Sequence, residues 1–182
     1  IVASVMMRAW FQVALMAYLP AWVESTGGTL AQGGQYLSLF LFAIGGGSLL
    51  GGVASDRIGA WLVLTASTAL LALAYWFFLH SQPPLQMLAL ALAGVALGCS
   101  YPTAILLAVD ALPGRSALAS GLIMGWGWAP AGLGASLTGY LADQGSLTMG
   151  LQLLIVPVLF GLLCMVAFKL LPTRRNNYAA AG

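Results

Sequence analysis

Long apolar runs alternate along the chain with short segments rich in Gly, Pro, Ser and the few charged residues. A helix needs about 20 mainly apolar residues to cross ~30 Å of hydrocarbon. Six runs reach that length, at residues 2–23, 34–55, 60–79, 85–109, 117–141 and 149–171. None shows the apolar–polar alternation, in segments of about 10 residues, that is typical of membrane β-strands. The pattern therefore predicts an all-α integral membrane protein, a six-helix bundle.

The composition excludes several classes of soluble protein. Of the 182 residues, 61% are hydrophobic and 5% are charged. In a soluble domain, about a quarter of the residues are charged. A soluble enzyme, a secreted disulfide scaffold and a nucleic-acid-binding protein are therefore excluded. Cys99 and Cys164 lie in apolar runs, where Cys acts as a small hydrophobe, and the chain has one histidine. We expect no cofactor and no metal, and a lipid bilayer as the main partner.

The basic residues predict the orientation. Apart from Arg8, they all lie on one side, at Arg57, at Arg115, and at the end of the sixth run and beyond it with Lys169, Arg174 and Arg175. The opposite connections contain Glu24 and Asp143 but no Lys or Arg. The positive-inside rule places the basic side in the cytoplasm, so we expect a multi-pass protein of the plasma (bacterial inner) membrane with both termini cytoplasmic. Because the first run opens at Ile1 with no initiator Met or basic leader, we expect a longer polypeptide upstream.

An internal repeat divides the chain into two units. After a shift of 87 residues, segment 45–56 aligns with segment 132–143. The coinciding pairs are Gly45/Gly132, Gly47/Gly134, Leu50/Leu137, Gly52/Gly139 and Asp56/Asp143. The shift carries the second run onto the fifth, which cross the membrane in opposite directions. We therefore predict two inverted three-helix repeats, 1–81 and 82–172, with a cytoplasmic tail at 173–182; a chance match of glycine-rich helices is the alternative.

The connection between the second and third runs resembles a known loop motif. The major facilitator superfamily carries Gly-x-x-x-Asp-Arg-x-Gly at this place, and the matching positions here are Gly52, Asp56, Arg57 and Gly59. Segments 112–115, 119–122, 132–134 and 142–143 are similar to the C-terminal half of the fosmidomycin-resistance branch of drug efflux proteins. One departure is that Ala60 and Trp61 stand where the family usually has basic residues.

The resemblance implies both a fold and a function. Such transporters consist of two six-helix bundles around a central cavity, so this chain corresponds to the second bundle. It then needs the first bundle, or another membrane protein, as a partner. The implied function is secondary active transport of a small molecule by alternating access, as proton-coupled drug or metabolite efflux. The four motif residues would form a gating loop.

Small residues four apart predict close helix packing, because helices in lipid approach one another through Gly, Ala and Ser. The predicted contact positions are Ala43, Gly47 and Gly51 in the second run, Gly94 and Gly98 in the fourth, and Gly121, Gly125, Gly127, Ala129, Ala131, Ala135 and Gly139 in the fifth. The third run has no glycine and is rich in Leu and aromatic residues. We expect the third and sixth helices outside, facing lipid, and the other four inside.

Arg8 is the first candidate for a substrate contact. An Arg in hydrocarbon is costly, so it normally faces a wet cavity or a partner. Ser4, Arg8 and Gln12 recur at intervals of four and form one polar stripe on a helix. This stripe predicts a contact with an anionic or polar substrate. The alternative is that Arg8 snorkels to the cytoplasmic interface.

Aromatic and hydroxyl residues near two prolines are the other cavity candidates. Pro102 and Pro130 each remove a helical hydrogen bond, and such sites are tolerated where they line a cavity. The candidates beside them are Ser100, Tyr101, Trp126 and Trp128. Aromatic walls with few hydroxyls suit a drug-like ligand; filling of the core, or anchoring at the interface, is the alternative.

Charges at the predicted helix ends are candidates for a gate or for proton coupling. Asp110 and Arg115 flank the connection between the fourth and fifth runs, and Glu24 follows the first. Asp56 with Arg57, and Asp110 with Arg115, could pair or cap helix ends in one state of the gate and separate in the other. Asp110, Glu24 or a residue of the absent half would carry the coupled proton. The alternative is that they are solvated loop charges, because exposed ion pairs contribute only ~0–1 kcal/mol.

Two other functions compete with transport. A rhomboid-type protease needs Gly-x-Ser-Gly at its nucleophile, but Leu118 stands at the first position before Ser120, and His80 comes earlier in the chain at a membrane face. We therefore predict that the protein is not an enzyme. A stand-alone six-helix subunit, which captures substrate for a larger membrane complex or packs against it, fits the length and stays open as the alternative.

Overall fold

The computed structural model describes residues 1–170, with side chains through residue 167. Every regular element in this range is helical. The elements are α1 (Val2–Ser25), α2 (Leu30–Ile58), α3 (Ala60–His80), α4 (Leu85–Ala111), α5 (Ser116–Gly121), a π-helical turn (Leu122–Trp126), α6 (Ala131–Gln144), α7 (Leu147–Leu153) and α8 (Ile155–Leu170). The predicted tail with Arg174 and Arg175, and the side chain of Lys169, lie outside the described residues.

The predicted all-α membrane fold is confirmed. Five stretches are long and apolar enough to cross a membrane, namely α1, α2, α3, α4 and Leu147–Ala167. In the packing, α4 lies between α2 and α3, while α1 contacts α2, α6 and α8. A large apolar core surrounds Phe11, Leu15 and Tyr75, and a smaller one surrounds Val5 and Leu64. Because α1 contributes to both cores and also packs against α2, the π-helical turn, α6, α7 and α8, it is the central helix of the bundle.

The fifth apolar run is not one continuous helix. It divides into α5, the π-helical turn and α6, with the Gly127 N–H bonded to the Leu122 carbonyl at 3.0 Å. Pro130 has no N–H for the carbonyl of Trp126, and the helix restarts at Ala131. The predicted extent is close to the structure, but the expectation of a single helix across it is wrong.

The sixth run is also interrupted, in this case by a single residue, Leu154. α7 ends at Leu153 and α8 begins at Ile155. Pro157 has no N–H for the Leu153 carbonyl. The Leu154 N–H bonds to the Leu151 carbonyl, three residues earlier rather than four, at 3.0 Å. Pro20 and Pro102, by contrast, lie inside continuous helices.

The close contact between α2 and α4 confirms part of the small-residue prediction. A Cβ atom on Gly47 would lie 2.7 Å from the Cα of Val95, and one on Gly98 would lie 2.9 Å from the carbonyl carbon of Ile44. Gly51 meets the backbone of Cys99 equally closely. The two backbones therefore touch directly, at a distance that no larger residue permits.

The small residues of the fifth run behave differently. A Cβ atom on Gly121 or Gly125 would meet nothing within 4 Å, so no neighbouring helix of the described chain approaches these two glycines closely. Gly139 lies against the Tyr18 hydroxyl group rather than against a backbone. Within the described chain, the predicted close packing is therefore found at Gly139, against a side chain of α1, and is not found at Gly121 or Gly125.

The expected division into inner and outer helices also needs correction. Tyr75 and Phe78 of α3 are fully buried, and the Tyr75 hydroxyl donates to the Leu151 carbonyl at 2.8 Å. α3 therefore packs into the core on one side, while Trp76 and neighbouring residues remain exposed. α2, expected inside, has a widely exposed face, with Phe42 84% and Leu49 75% accessible.

The two segments aligned by the repeat have similar patterns of exposure. Gly47 and Gly134 are both buried, and Gly45 and Gly132 are both exposed. The agreement extends over most of 45–56 and 132–143. The two helices therefore present equivalent faces to the rest of the chain.

We predict that Gly47→Ala destabilises the protein, whereas Gly34→Ala does not. The added methyl at Gly47 meets backbone of α4, and overpacking of this kind costs about 1–3 kcal/mol. The same methyl at Gly34, on the same helix, meets nothing within 4 Å. Thermal unfolding of the purified protein in detergent measures both; equal melting temperatures for the two variants would contradict a backbone contact at Gly47.

Candidate functional site

Arg8 is buried inside the bundle. It lies in the second turn of α1 with 4% of its surface accessible, and its Nη2 donates to the Leu64 carbonyl of α3 at 3.1 Å. A snorkelling arginine keeps its head group in water, so the snorkelling alternative is wrong. The polar stripe of the first helix faces the protein interior.

Two of the Arg8 nitrogens have no partner within the described chain. Nε and Nη1 are buried and form no hydrogen bond, and the same holds for Oγ of Ser4 one turn earlier. The Leu64 carbonyl that accepts from Nη2 also accepts from Ser67 at 3.0 Å and from Thr68 at 2.6 Å. One oxygen therefore serves three donors, which leaves the positive charge of Arg8 weakly compensated.

No carboxylate among residues 1–167 neutralises this charge. The four carboxylates are exposed and lie at or near helix ends, at Glu24, Asp56, Asp110 and Asp143. Arg8 bonds to none of them. An unpaired buried charge is costly, so an anionic or strongly polar group from outside this chain would stabilise Arg8.

Gln12, Tyr101 and Trp128 form a second polar contact beside Arg8. The Tyr101 hydroxyl of α4 donates to Oε1 of Gln12, which lies one turn after Arg8 on α1. The ring of Tyr101 stacks on Trp128, with centroids 5.9 Å apart and planes 16° apart. The contact joins α1, α4 and the segment between the π-helical turn and α6.

The structure brings together four of the six predicted cavity residues. These are Arg8, Gln12, Tyr101 and Trp128, whereas Trp126 points away from the bundle with 62% of its surface accessible. Ser100 is buried, but its hydroxyl donates to the Leu97 carbonyl of its own helix at 2.5 Å. Within the described residues, neither Trp126 nor Ser100 joins the other four through a hydrogen bond or a ring contact.

The predicted gating-loop residues lie at the end of α2. Asp56 and Arg57 occupy its last turn and are exposed, and Gly52 is half-buried one turn earlier. Gly59 has φ +90°, a left-handed conformation that favours glycine. This explains why a glycine stands where α2 turns directly into α3.

The charged residues on the other connections are also exposed. Asp110 lies in the last turn of α4, and Arg115 is the N-cap residue of α5. Glu24 lies in the last turn of α1, on the opposite side of the bundle. In the described part of the chain, neither Asp110 with Arg115 nor Asp56 with Arg57 forms an ion pair.

Sequence reasoning missed the contact between α1 and α6. Trp10 packs on Gly134 and donates from its indole nitrogen to Thr138 at 3.1 Å, and the Tyr18 hydroxyl donates to the Ala135 carbonyl at 3.2 Å. The signal for it was a glycine-rich helix face opposite regularly spaced aromatic residues. This contact attaches the broken fifth run to the central helix.

Comparison with known proteins identifies the family. The family model of the Major Facilitator Superfamily matches residues 1–181. The fosmidomycin resistance protein of Escherichia coli (strain K12) is 26% identical over 173 residues, which are 93% of this chain and 41% of that protein. The MFS-type transporter YfnC of Bacillus subtilis (strain 168) is 32% identical over 123 residues, 66% of this chain and 29% of that protein.

The chain thus spans less than half the length of the curated relatives it matches. The matches indicate a transporter and not an enzyme, as the sequence predicts. With a helical membrane fold and a family match over nearly its whole length, the chain belongs to the Major Facilitator Superfamily.

Proposed function

We propose that this chain is one six-helix half of a secondary active transporter that moves a polar or anionic small molecule by alternating access. The observation that carries the proposal is the buried guanidinium of Arg8, with two nitrogens unpartnered in the described chain. Ionisable residues inside a membrane bundle are rare and mark substrate or ion pathways. Gln12, Tyr101 and Trp128 extend this polar region across three helical segments.

A second six-helix bundle is the proposed partner. The exposed face of α2 includes Phe42, Gly45 and Leu49, and the exposed face of the fifth run includes Gly121 and Gly125. The relatives have more than twice the length that aligns with this chain, which leaves room for another bundle. These two faces are equivalent under the proposed inverted repeat of 1–81 and 82–172, and the partner would cover both.

The proposed orientation places Arg57 and Arg115 in the cytoplasm. Arg57 lies in the last turn of α2 and Arg115 follows α4, two helices that end on the same side of the bundle, and the opposite connections carry no Lys or Arg. The positive-inside rule then supports cytoplasmic termini in the bacterial inner membrane. Glu24 and Asp143 would lie on the outer side.

The proposed mechanism uses binding energy that differs between two states. The two bundles rock about a site within the membrane, and a ligand shifts the equilibrium only through its differential affinity for the two states. Arg8 would attract the anionic part of the substrate, and the stacked rings of Tyr101 and Trp128 would pack against its apolar part. The name of the Escherichia coli relative supports fosmidomycin, a phosphonate, as the first probe compound.

Export driven by a proton gradient is the coupling that we propose. No carboxylate lies in the middle of a described helix, so a proton-binding group would be Asp110, Glu24 or a residue of the partner bundle. We predict that vesicles containing the full-length protein accumulate or release fosmidomycin faster with an imposed pH gradient than after the gradient is collapsed by an ionophore. Equal rates in the two conditions would contradict proton coupling, and no transport at all of this probe would contradict the proposed substrate class.

Arg8→Gln is predicted to weaken substrate binding without lowering the stability of the empty protein. The substitution removes an uncompensated buried charge, so the melting temperature without ligand should be unchanged or higher. The KM for fosmidomycin should rise at least about tenfold, which corresponds to ~1.4 kcal/mol of lost binding energy. The rise in melting temperature on addition of fosmidomycin should disappear.

The control for this experiment is His80→Gln, at an exposed position in the last turn of α3. It should leave KM and the ligand-induced shift unchanged. A purely structural role of Arg8 would give the opposite pattern, with a lower melting temperature, a reduced amount of folded protein and an unaltered KM.

Asp56→Asn is predicted to reduce transport while membrane insertion stays intact. Asp56 is exposed at the end of α2 and makes no ion pair with any described residue, so its loss should not affect folding. The matched control is Asp143→Asn, the equivalent position of the repeat on the proposed outer side. Transport rates per amount of inserted protein measure both, and an unchanged rate for Asp56→Asn would remove this residue from the gate.

A further inference from the structure

A cavity lies at the end of the bundle away from Arg57 and Arg115. Its volume is about 600 Å³, and it opens between the α1–α2 connection and the α3–α4 connection. Small-molecule sites in proteins typically have volumes of ~300–1,000 Å³. On α1, Trp22 of this cavity is 14 residues after Arg8, which places the two about 21 Å apart along the helix at 1.5 Å per residue. This cavity is therefore distinct from the Arg8 region.

The cavity has an apolar floor and a rim of neutral polar groups. Trp22 and Tyr36 are buried at 5% and 7% accessibility and form the floor together with Leu79 and Met87. The polar lining residues are Thr26, Gln32, Gln35, Ser81, Gln82 and Gln86. None of the lining residues is charged.

Two of the four glutamines are fixed by the protein itself. Gln86 accepts from the Tyr36 hydroxyl at 3.0 Å and donates to the Phe78 carbonyl at 3.3 Å. Gln32 accepts from the backbone N–H of Thr29 at 2.8 Å. The side chains of Gln35 on α2 and Gln82 on the α3–α4 connection are exposed and hydrogen-bond to no described residue. Their amide groups are therefore free to bind a ligand from two different elements of the rim.

Local hydrogen bonds and a close backbone contact fix the α1–α2 connection, which forms one side of the cavity. Thr29 and Gln32 form a reciprocal capping box at the start of α2. Thr26 donates to the carbonyls of Trp22 and Val23, at 3.1 Å and 3.0 Å. Gly33 lies against the backbone of Pro20, where a Cβ atom would be 2.9 Å away. A preorganised frame of this kind lowers the entropic cost of binding.

We propose that this cavity binds a neutral, hydroxyl-rich ligand with one apolar face, such as a saccharide. An amide both donates and accepts hydrogen bonds, as a hydroxyl group does, so Gln35 and Gln82 match several ligand hydroxyls. The partly buried side chains of Leu79 and Met87, which lie over the buried rings of Trp22 and Tyr36, would pack against the apolar face of the ligand. A charged ligand would lose its hydration without gaining a counter-charge, because the lining is neutral.

Two kinds of molecule have this chemistry, namely free saccharides and lipids with a sugar head group. The test uses the full-length protein in nanodiscs of phosphatidylethanolamine and phosphatidylglycerol, prepared without sugar-based detergent. Calorimetry measures the binding of free maltose at millimolar concentrations. Native mass spectrometry of nanodiscs that also contain digalactosyl diacylglycerol measures retention of the glycolipid. If maltose binds in the calorimetric assay, the ligand is a free saccharide. If only the glycolipid is retained in the mass-spectrometric assay, the ligand is the sugar head group of a lipid.

We predict that Gln35→Leu and Gln82→Leu each weaken the observed binding at least tenfold. Both residues are exposed, so neither variant should lower the melting temperature. The matched control is Gln152→Leu, an exposed glutamine of α7 outside this cavity, which should bind as the wild type does. The proposal would be overturned if neither probe binds, if the Gln35 and Gln82 variants bind as tightly as the wild type, or if maltose 1-phosphate binds more tightly than maltose. None of these readouts depends on transport, so they are independent of the function proposed for the Arg8 region.

Discussion

The direct backbone contact between α2 and α4 determines where the polar residues of the bundle lie. In lipid, no water is released when two apolar helices meet, so their association depends on how closely they approach. Gly47, Gly51 and Gly98 allow the backbones to touch. Gly98 lies just under one turn before Tyr101, and this contact fixes the height and rotation of α4 at the point where Tyr101 reaches Gln12 on α1. The polar region on α1 and α4 therefore depends on glycines that carry no chemistry of their own.

The second and fifth runs use similar sequences in different ways. In α2 the glycines meet backbone, and the helix is continuous over Leu30–Ile58. In the fifth run, Pro130 lacks an N–H and the Ala131 N–H bonds to Trp128, so the carbonyls of Trp126 and Gly127 miss their usual helical partners. Irregular backbone at membrane depth is tolerated where it is buried in protein or lines a cavity. The break therefore agrees with a position of this segment beside the polar region and the proposed partner bundle.

The sequence predicted the features that depend on average hydrophobicity and on spacing. The extents of the apolar runs, the polar stripe of Ser4, Arg8 and Gln12, and the small-residue faces of α2 and α4 follow from composition or from a period of about four, whereas the pairing of these two helices did not. The outward direction of Trp126 did not follow, because this residue lies in a π-helical turn, where the rotation per residue differs from that of an α-helix. The hydrogen-bond partner of Ser100 did not follow either, because a buried hydroxyl can bond to a carbonyl of its own helix. The inward packing of α3 depends on Tyr75, whose partner Leu151 is far away in the sequence.

The uncompensated charge of Arg8 links binding to conformational change under the proposed mechanism. Effective costs of burying an unpaired ion reach several kcal/mol, even after the protein relaxes. An anion that reaches Nε or Nη1 would remove part of this cost, and only in the state in which it has access to Arg8. The ligand then stabilises one state more than the other, which is the condition for a ligand to shift a conformational equilibrium. Under the proposed mechanism, a carboxylate permanently paired to Arg8 would remove this difference between the states, and among residues 1–167 Arg8 bonds to no carboxylate.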